Sequence, residues 1–497
     1  MPEIKDIVWR MARADKASVI IDAEDYFRHA RAAMLKARRR IMMIGWDFDA
    51  RIELVRGPDI PDDGAPTTIG DLVYWLVQQN PDLEVLLLRW DLGAFKSLFR
   101  DKTAFTVAKW MMHPRITVKL DGHHPPGASH HQKIVVIDDC FAFCGGIDMT
   151  GDRWDRRDHS DDDPERVHPN GTAYSPWHDA TTALQGPVAA ALGNHARDRW
   201  RRAGGDKLPA IRGKHDCWPD ELPVQFAGVE VGIARTAPKM DDQRAVTEIE
   251  RLYLDQIARA KRFLYAESQY FASRRIAEAI ARRLDEADGP EIIIINPEAA
   301  EGWLEPIAMD SARARLVEAL RRRDVHGRLR IYHPYTRDRQ PIYVHAKILI
   351  IDDIILRVGS SNMNNRSMRL DTECDVAIDC ASGDDVAGAD KDCAQAIAAI
   401  RNDLLAEHLG TTAKVVKDRL LKTGSLIETI EGLRFTGRKN AKNRRRTLLP
   451  YEIPNLSEVE AWLADNEVLD PEGPEEMFEA LDERGLFRRL HLWRGKS

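Results

Sequence analysis

Residues Ser129–Asp148 read SHHQKIVVIDDCFAFCGGID, and Val344–Asn362 read VHAKILIIDDIILRVGSSN. His131, Lys133 and Asp138 match His345, Lys347 and Asp352 in spacing, and Gly145–Gly146 matches Gly359–Ser360. A lone His-x-Lys on a strand is incidental. Two copies with the same gaps and the same small residues downstream point to a duplicated functional unit. Side chains alternate along a strand, so His131 and Lys133 share a face with Val135 and Ile137. Asp138 lies on the opposite parity, as does Asp352 in the second copy. Each motif therefore offers an imidazole and an ammonium at one end of a buried strand, with its aspartate in a structural role.

Around these motifs, helical and strand-like runs alternate in two matching series. In the first, the helical pattern Ala23–Arg40 feeds the strand-like run Ile41–Trp46 and the element GWDFD. Patterns for a helix at Ile69–Gln79, a strand at Val85–Leu88, a helix at Phe95–Trp110 and a strand at Ile116–Leu120 follow. In the second, AVTEIERLYLDQIARAKR feeds FLYAESQYF, the positional match of Ile41–Phe48. Further matches are a helix at Arg275–Glu286, a strand at Ile292–Ile295, a helix at Asp310–Arg323 and a strand at Leu329–Tyr332. This alternation predicts an α/β layered fold of two lobes. The expected division is residues 1–205, a connector at 206–245, residues 246–410, and an appendage at 411–497. That appendage holds the cation cluster Arg434–Arg446, read as a solvated loop or an anion-binding segment, and an acidic tail. The stretch Gly151–Pro176 is long, polar and without periodicity, which marks a functional or a disordered loop.

Composition narrows the partners. The formal net charge is -7, which argues against a nucleic-acid coat or a polybasic membrane binder. No stable nucleic-acid partner is expected. The six cysteines form no CxxC pair, so buried reduced thiols are expected rather than a disulfide framework or a zinc knuckle. His123, His124, His130 and His131 are clustered, but polar loop histidines are the commoner explanation and no metal is assigned. No run reaches the ~20 apolar residues of a membrane span, and the first residues lack an apolar leader region. A cytoplasmic or peripherally membrane-bound protein is expected, with signal-independent export as an effector an alternative.

Two imidazoles, two ammonium groups and no metal cluster suit attack at a phosphodiester. One neutral histidine serves as nucleophile; the other, protonated, serves the leaving oxygen. Lys133 and Lys347 would neutralise the non-bridging oxygens, with Asn362, Ser360 and Gly146 as further phosphate contacts and Asp148 as the non-equivalent counterpart of Asn362. Asp179 in WHD and Glu373 in DTEC are the candidates to orient the histidines, or else ordinary strand polar groups. Trp46, Trp154, Trp177, Gln269 and Tyr270 either cradle a quaternary ammonium headgroup or pack the rim.

HxKxxxxD followed by GSxN, present twice, resembles the phospholipase D superfamily. GGID with RWD, the WHD segment and ESQYF are similar to the eukaryotic-type branch. The resemblance covers roughly residues 5–410. It implies two pseudo-twofold-related lobes, each a mixed, mostly parallel sheet flanked by helices, meeting at one site in a monomer. It also implies a phosphatidyl-enzyme intermediate, with His131 the nucleophile, His345 the general acid and no cofactor, and acts on glycerophospholipids at a membrane surface. The expected reaction releases phosphatidic acid and free headgroup, or a new phosphatidyl ester when an alcohol replaces water. A metal-independent nuclease and a cardiolipin-synthase-like transferase are the alternatives within the superfamily. The regulatory lipid-binding modules of large eukaryotic members are not expected.

Overall fold

The structure is a computed structural model describing residues 4–91, 106, 108–110, 112–213, 215–300, 309–381, 389–434 and 445–454. Most of the expected helix Phe95–Trp110, most of the cation cluster and nearly all of the acidic tail lie outside the described residues.

One continuous sheet runs through both halves of the chain. At its middle, Arg10–Ile21 pairs antiparallel with Phe226–Ala237. Outward from Arg10–Ile21 come Ala180–Gln185, Phe141–Gly145, Lys133–Ile137, Arg40–Gly45, Glu84–Trp90 and Ile116–Asp121. Outward from Phe226–Ala237 come Glu373–Asp379, Ile355–Gly359, Ile348–Ile351, Phe263–Glu267, Glu291–Ile295 and Leu329–Tyr335. The two series correspond strand for strand, so the halves are related by a pseudo-twofold axis through the central pair.

Two sequence expectations change here. The sheet is not mostly parallel: eleven of its pairings among the described residues are antiparallel and four parallel, the latter confined to the outer strands of each half. The duplicated motifs are β-hairpins, and a hairpin can only pair antiparallel. The expected connector also holds the strand Phe226–Ala237, whose partner Arg10–Ile21 welds the halves together. Ala227–Glu230 is mostly exposed, so no continuous apolar run marks the strand in the sequence. Thr447–Pro450, from the expected appendage, adds an edge strand beside Leu329–Tyr335.

The strand period divides the core. Ile134 and Val136 face an apolar layer shared by both halves and covered by helices Pro187–Arg202 and Lys391–His408. Val135 and Ile137 face a separate layer under Ala23–Leu35 and Ile69–Gln79. The corresponding layer of the second half lies under Glu248–Arg259, Arg274–Asp285 and Ser311–Arg323. Burial on both faces explains why these strands read as continuous apolar runs.

Both motif hairpins turn on two consecutive aspartates at positive φ: Asp138 (50°) and Asp139 (55°), then Asp352 (53°) and Asp353 (61°). Asp is among the few side-chain-bearing residues that tolerate this region. The Asp138 carboxylate accepts the backbone N–H groups of Arg38, Arg39 and Arg40 at 2.6–2.8 Å. Asp352 accepts those of Lys261, Arg262 and Phe263 at 2.7–2.8 Å. The third residue of each motif thus caps the start of the neighbouring strand.

The cysteines differ from expectation in one respect. Cys140, Cys144, Cys217 and Cys374 are buried free thiols, but Cys380 and Cys393 form a disulfide. The return from the end of Glu373–Asp379 to the first turn of Lys391–His408 brings their Cα atoms to 5.8 Å.

Candidate active site

Both histidines sit just before their motif strands, on backbone held by the other half of the molecule. The His131 N–H donates to Thr372 O at 2.9 Å, and the His345 N–H donates to His178 O at 2.7 Å. A short parallel pairing of Tyr343–Val344 with Trp177–His178 stitches the same seam. The result places the two imidazole rings 6.3 Å apart, centroid to centroid, at 64° to each other.

The carboxylates behind them are exchanged between the halves. His131 Nδ1 lies 3.1 Å from both oxygens of Glu373, while His345 Nδ1 lies 2.7 Å from Asp179 Oδ2. Each histidine is therefore oriented by the acid that follows the other motif. With Nδ1 engaged, Nε2 of each ring is the nitrogen left for chemistry. Glycines make the acids' approach feasible: a Cβ on Gly146 would stand 2.3 Å from Asp179 Oδ1.

Burial sets the electrostatics. It lowers the pKa of His131 well below the ordinary histidine value, helped by Lys133 and Lys347. His345 is lowered in the same way, by burial and then by Lys347 and Arg153. Both rings are consequently neutral before substrate binds. Burial also pushes Glu373 up to about 8, raises Asp179, and brings Lys347 down to about 7. An incoming phosphodiester anion would stabilise positive charge on the rings and on Lys347 and reverse part of these shifts.

Lys133 Nζ donates to His131 O at 2.7 Å, and Lys347 Nζ donates to His345 O. Each ammonium is thus held beside its own imidazole. Asn362 donates through Nδ2 to Gln269 Oε1 at 3.2 Å, and its Oδ1 has no hydrogen-bond partner among the described residues.

Several predicted contacts fall elsewhere. Asp138 and Asp352 cap strands at the far ends of their motif strands and are not at the site. The Gly146 N–H is spent on Ala180 O at 2.8 Å in the sheet. The Ser360 hydroxyl donates to Glu373 Oε2, so it braces the orienting acid rather than a phosphate. Asp148 pairs with Lys133 at 3.0 Å and accepts the Trp46 N–H at 2.9 Å.

The aromatic set divides. Trp177 packs 5.3 Å from the His345 ring and stacks on Tyr343, and Gln269 bonds the hydroxyls of Tyr343 and Tyr270 at 2.8 and 2.9 Å. Trp46 stacks on Trp90 beside His124. Trp154 is buried under Arg56 and Arg156 and does not line the site. The clustered histidines are held singly: His124 by Asp91 and His130 by Asp121.

Sequence reasoning missed Arg153, whose guanidinium lies 4.3 Å over the Trp177 ring, and Ser367, which donates to Glu373 at 2.8 Å. Arg153 opens the RWD triplet and was within reach of that signal. Ser367 carries no spacing signal at all.

A chain of two α/β halves that share one site through paired histidines and lysines has the framework of a phosphodiesterase-type enzyme. The sequence model described as Phospholipase D matches residues 33–279 and 321–431, and the chain belongs to that family. It is similar to Phospholipase D alpha 1 of Carica papaya, 23% identical over 471 residues, covering 68% of this chain and 58% of the relative. Phospholipase D alpha 1 of Arabidopsis thaliana is 25% identical over 481 residues, again covering 68% and 58%. The chain thus spans less than two thirds of the length of these relatives. Among solved structures, the phosphatidylserine synthase of Haemophilus influenzae Rd KW20 shares the fold, with a TM-score of 0.54 at 14% identity, covering 86% of this chain and 98% of that one. Among the described residues, no helix is long and apolar enough to cross a membrane.

Proposed function

We propose that the protein is a phospholipase D that cleaves the distal phosphodiester of glycerophospholipids. The observation that carries this reading is the pair of facing imidazoles, each held through Nδ1 by a buried carboxylate from the opposite half. His131 Nε2 attacks phosphorus, and the bond from phosphorus to the headgroup oxygen breaks. His345, protonated once the anionic substrate is in place, gives its Nε2 proton to that oxygen. Water then attacks the phosphatidyl-histidine while His345 Nε2 takes its proton. The phosphorus–nitrogen bond breaks and phosphatidic acid leaves. An alcohol in place of water gives a phosphatidyl ester. Lys133, Lys347 and Asn362 face the non-bridging oxygens as charge builds. Trp177 and Tyr343 supply aromatic surface for a headgroup.

The test is incubation with vesicles of phosphatidylcholine or phosphatidylethanolamine containing ethanol, with lipid products read by mass spectrometry. Phosphatidic acid and phosphatidylethanol are expected. Absence of both across a panel of common headgroups, with DNA or RNA degraded instead, would overturn the lipid assignment and favour the nuclease reading.

A further inference from the structure

Behind the His345–Asp179 pair lies a second cluster that the reaction does not use. Asp22, His159, His178 and Glu407 converge there from four separate segments: the start of helix Ala23–Leu35, the Gly151–Pro176 loop, the strand Trp177–His178 and helix Lys391–His408. All four are at most 4% exposed. His159 Nε2 lies 3.1 Å from Glu407 Oε1 and 3.5 Å from Asp22 Oδ2. His178 Nδ1 lies 2.7 Å from Glu407 Oε1 and 3.1 Å from Asp22 Oδ1.

These separations lie within ion-pairing reach, yet among the described residues neither His178 Nδ1 nor Asp22 Oδ2, both fully buried, makes a hydrogen bond of good angular geometry. Ligands about 2.0–2.1 Å from a tetrahedral ion stand about 3.3 Å from one another; the separations here run from 2.7 to 3.5 Å, so a bound ion would need the closest pair, His178 and Glu407, to move apart slightly. The surroundings carry the same implication. His178 directs its other nitrogen, Nε2, to Glu267 at 2.7 Å, and His159 directs Nδ1 to Asp155 at 3.0 Å. Each ring thus offers one nitrogen to the centre and its second N–H to an outer carboxylate, the arrangement that fixes tautomer and basicity in metal-bound histidines. Glu407 keeps Oε1 for the centre while Oε2 accepts from Arg157, and Asp22 Oδ1 accepts the Asp179 N–H at 3.1 Å.

We infer that Asp22, His159, His178 and Glu407 form a binding site for one divalent transition-metal ion, bound by two imidazole nitrogens and two carboxylate oxygens. Nitrogen with oxygen donors suits zinc, manganese, iron or cobalt and disfavours calcium and magnesium, which take all-oxygen shells. The site is structural. It pins the aperiodic loop to the sheet and holds the backbone that presents Asp179 to His345, and no bond of the phosphodiester reaction passes through it.

Elemental analysis of the full chain as purified, then titration of the chelated protein with Co²⁺ and Zn²⁺, tests this. Cys140, His215 and Cys217 lie close together as well, so the titration uses a Cys140→Ser/Cys217→Ser background. One equivalent of metal per chain is expected, with a visible Co²⁺ spectrum lacking a thiolate charge-transfer band. His159→Ala should abolish that spectrum, and Glu267→Gln, outside the four donors, should weaken affinity about 10–100-fold. If the serine background or His159→Ala does not fold, wild-type protein decides alone, by whether a cobalt spectrum free of thiolate character appears at one equivalent. No stoichiometric binding of either ion at micromolar concentration, or binding undiminished in folded His159→Ala, would overturn the site.

Discussion

Lys133 and Lys347 occupy the same position in the two halves, but their surroundings differ. Lys133 has a carboxylate at 3.0 Å, Asp148, which also fastens the Trp46 backbone. The matching position in the second half is Asn362, and among the described residues Lys347 has no carboxylate within ion-pairing reach. The first half therefore balances its ammonium internally. The second half has only the more distant Asp179 and Glu373 acting on its ammonium, and burial presses it toward neutrality. Duplication preserved the backbone and the imidazoles; it did not preserve the charge. On the proposed reaction, this asymmetry would draw the substrate phosphate toward Lys347 and Asn362, with His131 as the nucleophile.

The largest effect should come from removing either imidazole. His131→Ala and His345→Ala are each expected to lower kcat by about 10⁴-fold or more, because groups acting as a unit are not additive. A double variant should fall no further than the worse single one, read with radiolabelled lipid. Next comes the charge difference itself. Asn362→Asp, which copies the first half onto the second, should neutralise Lys347 and cost about 10²-fold or more in kcat. The reciprocal Asp148→Asn strands a buried Lys133 and should instead lower stability by about 3–5 kcal/mol, measured by denaturant unfolding.

Smaller differences should separate the orienting acids. Burial holds Glu373 protonated up to about pH 8, so Glu373→Gln copies its charge at pH 7 and should change kcat less than tenfold. Asp179→Asn removes the single-oxygen contact on His345 and should cost more, in the same steady-state assay. The pH profile gives the mildest effect. The pKa of Lys347 sits near 7, below the ordinary lysine value of 10.5, so the free enzyme loses this positive charge as pH rises through 7. Since kcat/KM reports the free enzyme, it should decline above about pH 7, and Lys347→Arg should remove that alkaline limb.

Much of this was legible in the sequence because it rests on local period and spacing. The duplicated motifs, the flanking apolar strands and the alternation of helices with strands all follow from residues a few positions apart. Glu373 and Asp179 were identifiable as acids on resumed strands. Their exchange between halves was not, since it depends on how Thr372 and His178 present backbone carbonyls to the opposite histidine. The aspartates of the motif were legible in part. Strand parity separates them from the histidines, but it does not report the turn at positive φ or the three backbone N–H groups that each carboxylate serves. The loop Gly151–Pro176 has no period because its order comes from buried charge pairs rather than from apolar spacing. Asp155, for example, is fully buried between Arg166 and His159. No window of sequence reports a contact such as that of His159 with Glu407.

Acid-free quenching of a single turnover, followed by digestion and mass spectrometry of the histidine peptides, tests the asymmetry of the two halves most directly. A phosphatidyl adduct on the peptide containing His131, absent in His131→Ala, is the predicted result. An adduct on the His345 peptide, or full turnover with neither peptide modified, would contradict it.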